Sequence, residues 1–177
     1  MKNVVYIATS IDGFIADAKG SIDWLNTVPN PEGNDMGWSD FLKQIDAVIM
    51  GRKTFDTVIG FGVEWPYPVP VFVLSKTMHK VPKDLINKVE ILQGSPKEVT
   101  QQVRNQGHNN IYIDGGETIK QFLQEDMIDE LIITKIPVLL GEGISLFTSL
   151  KEQQFYSLKE TKVFLNQLVQ MHYIRKK

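Results

Sequence analysis

Short apolar runs bounded by turn residues recur along most of the chain, and runs of this kind are typical of buried β-strands. The predicted strands are Asn3–Ser10, Ala47–Met50, Val71–Leu74, Val89–Leu92, Asn110–Asp114 and Leu131–Ile136. Two further β-rich runs, Tyr156–Phe164 and Leu168–Arg175, are joined at Asn166-Gln167. So short a connection predicts a C-terminal β-hairpin.

Helical spacing appears between these strands. Apolar residues recur at i, i+3, i+4 and i+7 from Trp38 to Ile45, which predicts an amphipathic helix ending near Asp46. Further helices are predicted at Lys53–Ile59, Pro96–Asn105 and Glu117–Gln124. Glycine and proline residues predict loops at Ala16–Asn34, Gly60–Pro70 and Gly141–Gly143.

The order of these elements predicts the fold class. Strands alternate with helices, and a hairpin closes the chain, so we expect an α/β fold of three layers. Its central sheet is mostly parallel, with helices on both faces and an antiparallel edge. The chain has 177 residues and no linker long enough to separate domains, so residues 1–177 are predicted to form one domain.

Composition excludes several classes of function. The net charge is −2 and no basic stripe is present, which argues against nucleic-acid binding. There is no cysteine, so thiolate chemistry and zinc–thiolate sites are excluded. No apolar run approaches the length of a membrane span. The N-terminus is typical of a first strand rather than a signal peptide, and we expect a cytoplasmic protein.

Two glycine turns at strand-to-helix junctions indicate an anion site. Gly51 follows an apolar run and precedes Arg52, Lys53 and Thr54. A helix N-terminus offers unpaired N–H groups and partial positive charge, and the two basic residues add full charges. A second junction, Asp114–Thr118, contains Gly115-Gly116. Two such turns in one domain favour a ligand with more than one phosphate, such as a dinucleotide.

Other common motifs are absent. There is no Walker-type phosphate loop, no G-x-G-x-x-G fingerprint and no G-x-S-x-G elbow. The three histidines are isolated, and no metal site is predicted.

Six segments, in order along nearly the whole chain, resemble the dihydrofolate reductase-like superfamily. They are Ala8–Ala16, Trp24, Met50–Phe55, Leu74–Lys76, Ile113–Gly116 and Thr134–Ile136. Ser10–Gly13 and Pro137–Gly143 are similar to one branch of it, the reductase domain of the bifunctional riboflavin-biosynthesis deaminase/reductase and its stand-alone relatives. Two positions depart from that branch: Phe14 stands where it carries lysine, and Asp114 where it carries glutamate.

The resemblance implies NADPH as the cofactor. Ser75 and Lys76, with Arg52 or Lys53, would meet the adenosine 2′-phosphate, and Gly115 and Gly116 would let the backbone approach the pyrophosphate. Ala8 and Ile15 would flank the nicotinamide. The full set of expected cofactor residues is Ala8, Ile15, Gly51, Arg52, Lys53, Thr54, Leu74, Ser75, Lys76, Asp114, Gly115, Gly116, Glu117 and Thr118.

The resemblance also implies a carboxylate that polarises the substrate ring, on the helix before the Met50–Phe55 segment. Asp35 and Asp40 are the candidates, and we prefer Asp35, although a helix-capping role explains it equally well. Thr134 matches a strand threonine that hydrogen-bonds this carboxylate. Trp24 resembles a loop tryptophan over the active site, and Asp12 ends the first strand.

Three functions stay open at this point. The first is an NADPH-dependent reductase acting on a C=N or C=O bond of a small pterin-like or pyrimidine-like heterocycle. The second is a carbonyl or quinone reductase of broad specificity, and the third a module that binds NADPH without turnover. Stand-alone relatives of the riboflavin type often pair, so a homodimer is expected, with the C-terminal hairpin as a candidate surface.

Overall fold

A computed structural model describes residues 1–177, and its central feature is an eight-stranded sheet. The strands are β1 (Lys2–Thr9), β3 (Ala47–Gly51), β4 (Val71–Leu74), β5 (Val89–Leu92), β6 (Asn110–Asp114), β7 (Glu130–Lys135), β9 (Tyr156–Phe164) and β10 (Leu168–Arg175). Their order in the sheet is β5-β4-β3-β6-β1-β7-β10-β9.

The six strands from β5 to β7 in this order run parallel to one another. β10 is antiparallel to both of its neighbours, β7 and β9. The predicted α/β fold with an antiparallel C-terminal edge is confirmed. A second, two-stranded sheet pairs β2 (Phe14–Ala16) with β8 (Ile144–Ser145).

Four α-helices cover the sheet: α1 (Trp38–Leu42), α2 (Arg52–Gly60), α3 (Pro96–Asn105) and α4 (Gly116–Gln124). Two short 3₁₀-helices lie at Asp23–Thr27 and Lys83–Leu85. None of these helices has the length and apolar composition of a membrane-spanning segment.

The core has two main parts, one on each face of the sheet. On one face α3 and α4 contribute Val99, Val103, Ile119 and Phe122 to a cluster with the sheet. On the other face Phe41 of α1 and Phe55 of α2 pack on Val48 and Met50 of β3. Strands that are buried on both faces have continuous apolar sequences, which is why the sequence pattern predicted them.

Two sequence predictions about loops and helices were wrong. The segment Ala16–Asn34 is not all loop, because it contains the 3₁₀-helix Asp23–Thr27. The predicted helix ending near Asp46 stops as an α-helix at Leu42. Its last turn tightens: the amides of Gln44 and Ile45 donate to the carbonyls of Phe41 and Leu42, three residues back.

Candidate active site

The predicted glycine turns lie side by side at the carboxyl edge of the sheet. β3 and β6 are adjacent, with Met50 paired to Asp114, so α2 and α4 begin next to each other. Crevices at the carboxyl ends of parallel strands are where open α/β sheets bind ligands. The N-termini of α2 and α4 therefore lie together at this edge of the sheet.

Close packing explains the glycines at these junctions. A Cβ atom at Gly51 would lie 3.0 Å from Thr118 Oγ1. At Gly115, where φ is +87°, a Cβ would overlap with Thr54 Oγ1, and at Gly116 it would overlap with Ile15 Cδ1. The structure thus brings Gly51, Thr54, Gly115, Gly116, Thr118 and Ile15 together from three separate segments. The glycines let these segments pack closely, and this leaves the N-termini of α2 and α4 side by side at the sheet edge. We call this junction the cradle.

The predicted basic residues lie at the outer end of the cradle. Gly51 pairs with Leu74 at the carboxyl end of β4, which puts Ser75 and Lys76 beside the start of α2. The Arg52 guanidinium donates to Thr77 Oγ1 at 2.9 Å and pairs with Asp56 at 3.3 Å. Ser75 Oγ accepts the amide of Met78 at 2.9 Å, which shapes the turn after β4. Arg52, Lys53 and Lys76, all exposed, and the half-buried Ser75 thus belong to one rim.

Glu117 lies at the first turn of α4, exposed, and pairs with Lys120 at 3.1 Å. This geometry gives it no contact within the cradle. Its expected place among the cofactor residues stays a prediction.

The strand ends next to the cradle carry a row of polar side chains. Ala8 of β1 pairs with Thr134 of β7, and Thr134 pairs with Gln170 of β10, so these three share a sheet face. By alternation Tyr6 of β1 and Asp114 of β6 lie on that same face. This face is the one that α1 and α2 cover. We call this row of strand-end residues the cleft, because it lies at the sheet edge where open α/β folds bind their ligands.

Thr134 has a different partner from the one expected. Its hydroxyl accepts a hydrogen bond from Gln170 Nε2 at 3.0 Å, and both residues are buried. Gln170 Nε2 also approaches Tyr6 Oη at 3.2 Å, while Tyr6 Oη donates to the Met36 carbonyl at 2.8 Å. The expected bond from Thr134 to Asp35 is therefore replaced by a Thr134–Gln170–Tyr6 network.

Asp35 lies before α1 rather than on it. Its carboxylate accepts the amides of Gly37 at 2.9 Å and Ser39 at 3.0 Å, which is the arrangement of a helix cap. Hydrogen bonds from Ser39, and then from Gly37, lower the pKa of this exposed carboxyl below its usual value. The expectation that this carboxylate lies on the helix is wrong for Asp35, because α1 begins only at Trp38. Asp40 is also exposed and pairs with Lys43 at 2.7 Å.

Asp12 joins two loops at the end of β1. Its carboxylate accepts Ser10 Oγ at 2.6 Å and the Gly141 amide at 2.8 Å. The hydrogen bond from Ser10 is the main reason that the pKa of Asp12 is lowered. This fastens the predicted tight loop around Gly141 to the strand end. A catalytic role for Asp12 stays a prediction.

Trp24 is buried and packs in a small cluster with Ile136 and Leu168, and Ala8 lies against that cluster. Its indole Nε1 has no hydrogen-bond partner in the protein. Trp24 thus lies beside the strand position that the resemblance assigns to the nicotinamide.

Sequence reasoning missed the aromatic residues over the cleft. The Trp38 ring lies 5.5 Å from Tyr6, 6.2 Å from Tyr67 and 5.8 Å from Tyr112, each edge-on. Tyr67 comes from the proline-rich loop after α2, where no periodic pattern exists to place it. The sequence did contain a pattern that could have identified Gln170, because polar and apolar residues alternate around it in a predicted strand.

Comparison with known proteins agrees with this geometry. The family model described as the RibD C-terminal domain matches residues 2–170. The chain belongs to the RibD C-terminal domain family. It is 41% identical over 175 residues to the uncharacterized protein YwjB of Bacillus subtilis (strain 168), covering 98% of both chains.

Solved structures extend the comparison. The fold superimposes with a TM-score of 0.96, at 45% identity and full coverage of both chains, on a Shewanella sp. PV-4 protein named provisionally as a riboflavin biosynthesis protein. The Thermotoga maritima deaminase/reductase matches with a TM-score of 0.76 at 12% identity, covering 99% of this chain and 56% of that one. A dihydrofolate reductase from Enterococcus faecalis, complexed with NADP(H), matches with a TM-score of 0.67 at 17% identity, over 99% and 97% of the two chains. The dihydrofolate reductase-like fold and the relation to riboflavin-type reductase domains are thus confirmed.

Proposed function

We propose that this protein is an NADPH-dependent reductase that transfers hydride to a C=N or C=O bond of a small heterocycle. The observation that carries the proposal is the cradle. Two helix N-termini and three glycines, each closed against a side chain from another segment, lie at the carboxyl edge of a sheet of the RibD C-terminal domain family.

In this proposal, different groups of residues bind different parts of the cofactor. Gly51 and Thr54 at α2, with Gly115, Gly116 and Thr118 at α4, hold the pyrophosphate through backbone amides and hydroxyls. The rim of Arg52, Lys53, Ser75 and Lys76, with Leu74 beneath it, receives the adenosine and its 2′-phosphate. Charge-assisted bonds to that phosphate contribute about 1.5–3 kcal/mol each, so the rim favours NADPH over NADH.

The nicotinamide end of the cofactor lies between Ala8 and Ile15 in this proposal, next to Trp24. When bound, the cofactor supplies the hydride. The protein supplies orientation and a dry surface, because hydride transfer needs the two carbons held in contact and water kept away.

The cleft suits a planar substrate with polar edges. Aromatic rings of Tyr6, Trp38 and Tyr67 border it, and the Thr134–Gln170 pair offers hydrogen-bonding groups. Such surroundings accept a flat heterocycle by stacking and edge contacts. Pterin-like rings and the pyrimidine of a riboflavin precursor share this chemistry.

The test is NADPH oxidation, followed by absorbance, with a panel of acceptors: 7,8-dihydrofolate, 7,8-dihydropterin, a ribosylamino-pyrimidine, a quinone and an aromatic aldehyde. We expect turnover with at least one of the heterocycles and little with the quinone or aldehyde. Turnover of only the quinone and aldehyde would favour a broad carbonyl reductase. No oxidation with any acceptor, despite NADPH binding, would favour a binding module.

A further inference from the structure

Gln170 lies at the β10 end of the row of residues that forms the cleft. It is only 7% exposed, and it pairs with Thr134 of the neighbouring strand β7. Its Nε2 lies 3.0 Å from Thr134 Oγ1, 3.2 Å from Tyr6 Oη and 3.3 Å from the Met36 carbonyl oxygen. The amide nitrogen is therefore surrounded by oxygen atoms from three different segments.

The Met36 carbonyl fixes the orientation of the Gln170 amide. A carbonyl oxygen only accepts hydrogen bonds, and this one already accepts the Tyr6 hydroxyl at 2.8 Å. If the amide were reversed, Gln170 Oε1 would face this carbonyl as one acceptor against another. The nitrogen of Gln170 therefore points toward Met36, and the amide oxygen does not.

Gln170 Oε1 is left as a free acceptor. Every hydrogen bond of this side chain is made through Nε2, so Oε1 has no partner within the protein. Oε1 is not fully enclosed either, because the fully buried side-chain atoms without a partner are Thr9 Oγ1, Trp24 Nε1, Trp65 Nε1 and Arg104 Nε. This oxygen is thus accessible to a group that enters from solvent.

Thr134 adds a free donor beside this acceptor. Its Oγ1 accepts the hydrogen bond from Gln170 Nε2, whereas its own hydroxyl proton has no acceptor in the protein. Thr134 is 5% exposed, and a donor left unpaired at such a depth costs free energy. One neutral acceptor and one neutral donor therefore lie next to each other in the cleft.

We infer, on the basis of the proposed reductase function, that Gln170 and Thr134 together bind the amide edge of the substrate ring. Such an edge is an N–H group next to a C=O group. The ring N–H donates to Gln170 Oε1, and the ring C=O accepts the Thr134 hydroxyl, so both free groups of the protein are paired. Pterin and uracil rings carry this edge at N3 and C4.

The absence of charge on this pair favours a neutral edge. A carboxylate at the position of Gln170 would favour a cationic ring, because bonds between ionised partners are the stronger ones. The Tyr6 hydroxyl beside Gln170 also stays neutral, since burial raises the pKa of Tyr6. A ring without the N–H and C=O groups would leave the polar groups of the site buried and unpaired, and is therefore rejected. Gln170 thus determines specificity rather than the hydride transfer itself.

Pterin and 3-methylpterin are the probes that test this pair, because a methyl group replaces the ring N3 proton in the second. Both are fluorescent, so fluorescence anisotropy gives their affinities without turnover. We expect the wild-type protein to bind pterin at least tenfold more tightly than 3-methylpterin. Gln170→Met, which keeps the length of the side chain, is expected to bind pterin at least tenfold more weakly and to lose most of this preference.

The ratio of the two affinities separates binding from support of the fold. A glutamine that only supported the fold would lower both affinities together and leave their ratio unchanged. Thr134→Val, which removes the hydroxyl group and keeps the shape, is expected to weaken pterin binding at least threefold. Gln153→Met, at an exposed position before β9, is the control and is expected to leave both affinities within twofold of wild type. Circular dichroism checks that each variant is folded.

An unchanged pterin affinity in Gln170→Met, or an unchanged preference for pterin over 3-methylpterin, would overturn the inference. Should Gln170→Met fail to fold, an unchanged pterin affinity in Thr134→Val would overturn it in the same way. Absence of wild-type binding to both pterin and 5-aminouracil at millimolar concentration would also overturn it. The proposed reductase function fails separately, if no acceptor oxidises NADPH, because the anisotropy measurement needs neither NADPH nor turnover.

Discussion

Gly115 adopts a φ of +87°, and a methyl group there would overlap with the Thr54 hydroxyl. Both features make alanine unfavourable, because L-residues rarely adopt this backbone conformation and Thr54 has to move. We expect Gly115→Ala to lower the free energy of unfolding by about 1–3 kcal/mol and to weaken NADPH binding at least tenfold. Urea denaturation and a fluorescence titration measure the two effects.

Gly107→Ala is the control, because Gly107 has a φ of +95° but open space around its Cα. It isolates backbone strain from the contact with Thr54. We expect a smaller loss of stability and unchanged NADPH affinity. Equal effects of the two substitutions on affinity would contradict the assignment of the cradle.

Individual cradle residues were predictable from the sequence, whereas the cleft was only partly so. Gly51, Gly115 and Thr118 follow strands that are parallel and adjacent, so their meeting at one sheet edge follows from the strand pattern. Tyr67 lies in a proline-rich loop, and its hydroxyl donates a hydrogen bond to Asp114 Oδ2 at 3.0 Å. This contact depends on the conformation of the loop, which no periodic sequence pattern predicts. The role of Asp35 could not be predicted for a similar reason. A shift of the helix start by a residue or two decides whether this carboxylate caps the helix or projects from it.

At the scale of elements, most strands match the predicted bounds, because their apolar runs end at clear turn signals. β4, β5, β6, β9 and β10 begin and end as predicted. β2 and β8 were missed because they contain three and two residues, too few to show alternation. Their pairing joins segments about 130 residues apart, which no local pattern reveals.

β7 and β10 are joined by a contact between Glu130 and His172 whose effect on stability depends on pH. Glu130 Oε2 lies 2.7 Å from His172 Nε2, and Glu130 Oε1 lies 3.1 Å from Lys2 Nζ of β1. The hydrogen bond from His172 is the main reason that the pKa of Glu130 is lowered to about 2. A lowered carboxyl pKa stabilises the fold above the unfolded value of about 4.3, and this contribution is lost as pH falls toward 2.

We therefore expect Glu130→Gln to reduce the free energy of unfolding at pH 7 by about 1–2 kcal/mol. The loss of Tm between pH 7 and pH 3 is expected to be smaller in this variant than in wild type. Thermal melts by circular dichroism measure both. Glu152→Gln, at an exposed and unpaired position, serves as the control, and an equally steep acid limb in Glu130→Gln would refute the account.

At the scale of the molecule, the C-terminal hairpin leaves a free edge and an apolar face. β9 is the last strand of the sheet, and Leu158 and Val163 are 58% and 62% exposed on it. Leu158 pairs with Tyr173 of β10 and Val163 with Val169, so Leu158 and Val163 lie on one face of the hairpin. Next to this face is an apolar groove of about 450 Å³, whose lining includes Leu131, Ile133 and Met171. Exposed faces of this kind are typical of association surfaces.

We propose that two copies of the chain associate through this face. Light scattering is expected to give twice the chain mass of 20.1 kDa, and Val163→Lys is expected to give a single-chain mass with unchanged folding. Val63→Lys, a change of the same kind at an exposed valine in the loop after α2, is the control. A wild-type protein that is monomeric at all concentrations would refute the homodimer.

Titration of the wild-type protein with NADPH and with NADH, followed by tryptophan quenching, tests the central claim that the cradle and its rim hold a phosphorylated nicotinamide dinucleotide. Trp24 lies beside Ala8 and is expected to report binding. The account predicts that NADPH binds at least tenfold more tightly than NADH, and that Arg52→Gln removes most of this difference while Lys97→Gln does not. Equal affinities for the two dinucleotides, or no quenching at millimolar NADPH, would contradict it.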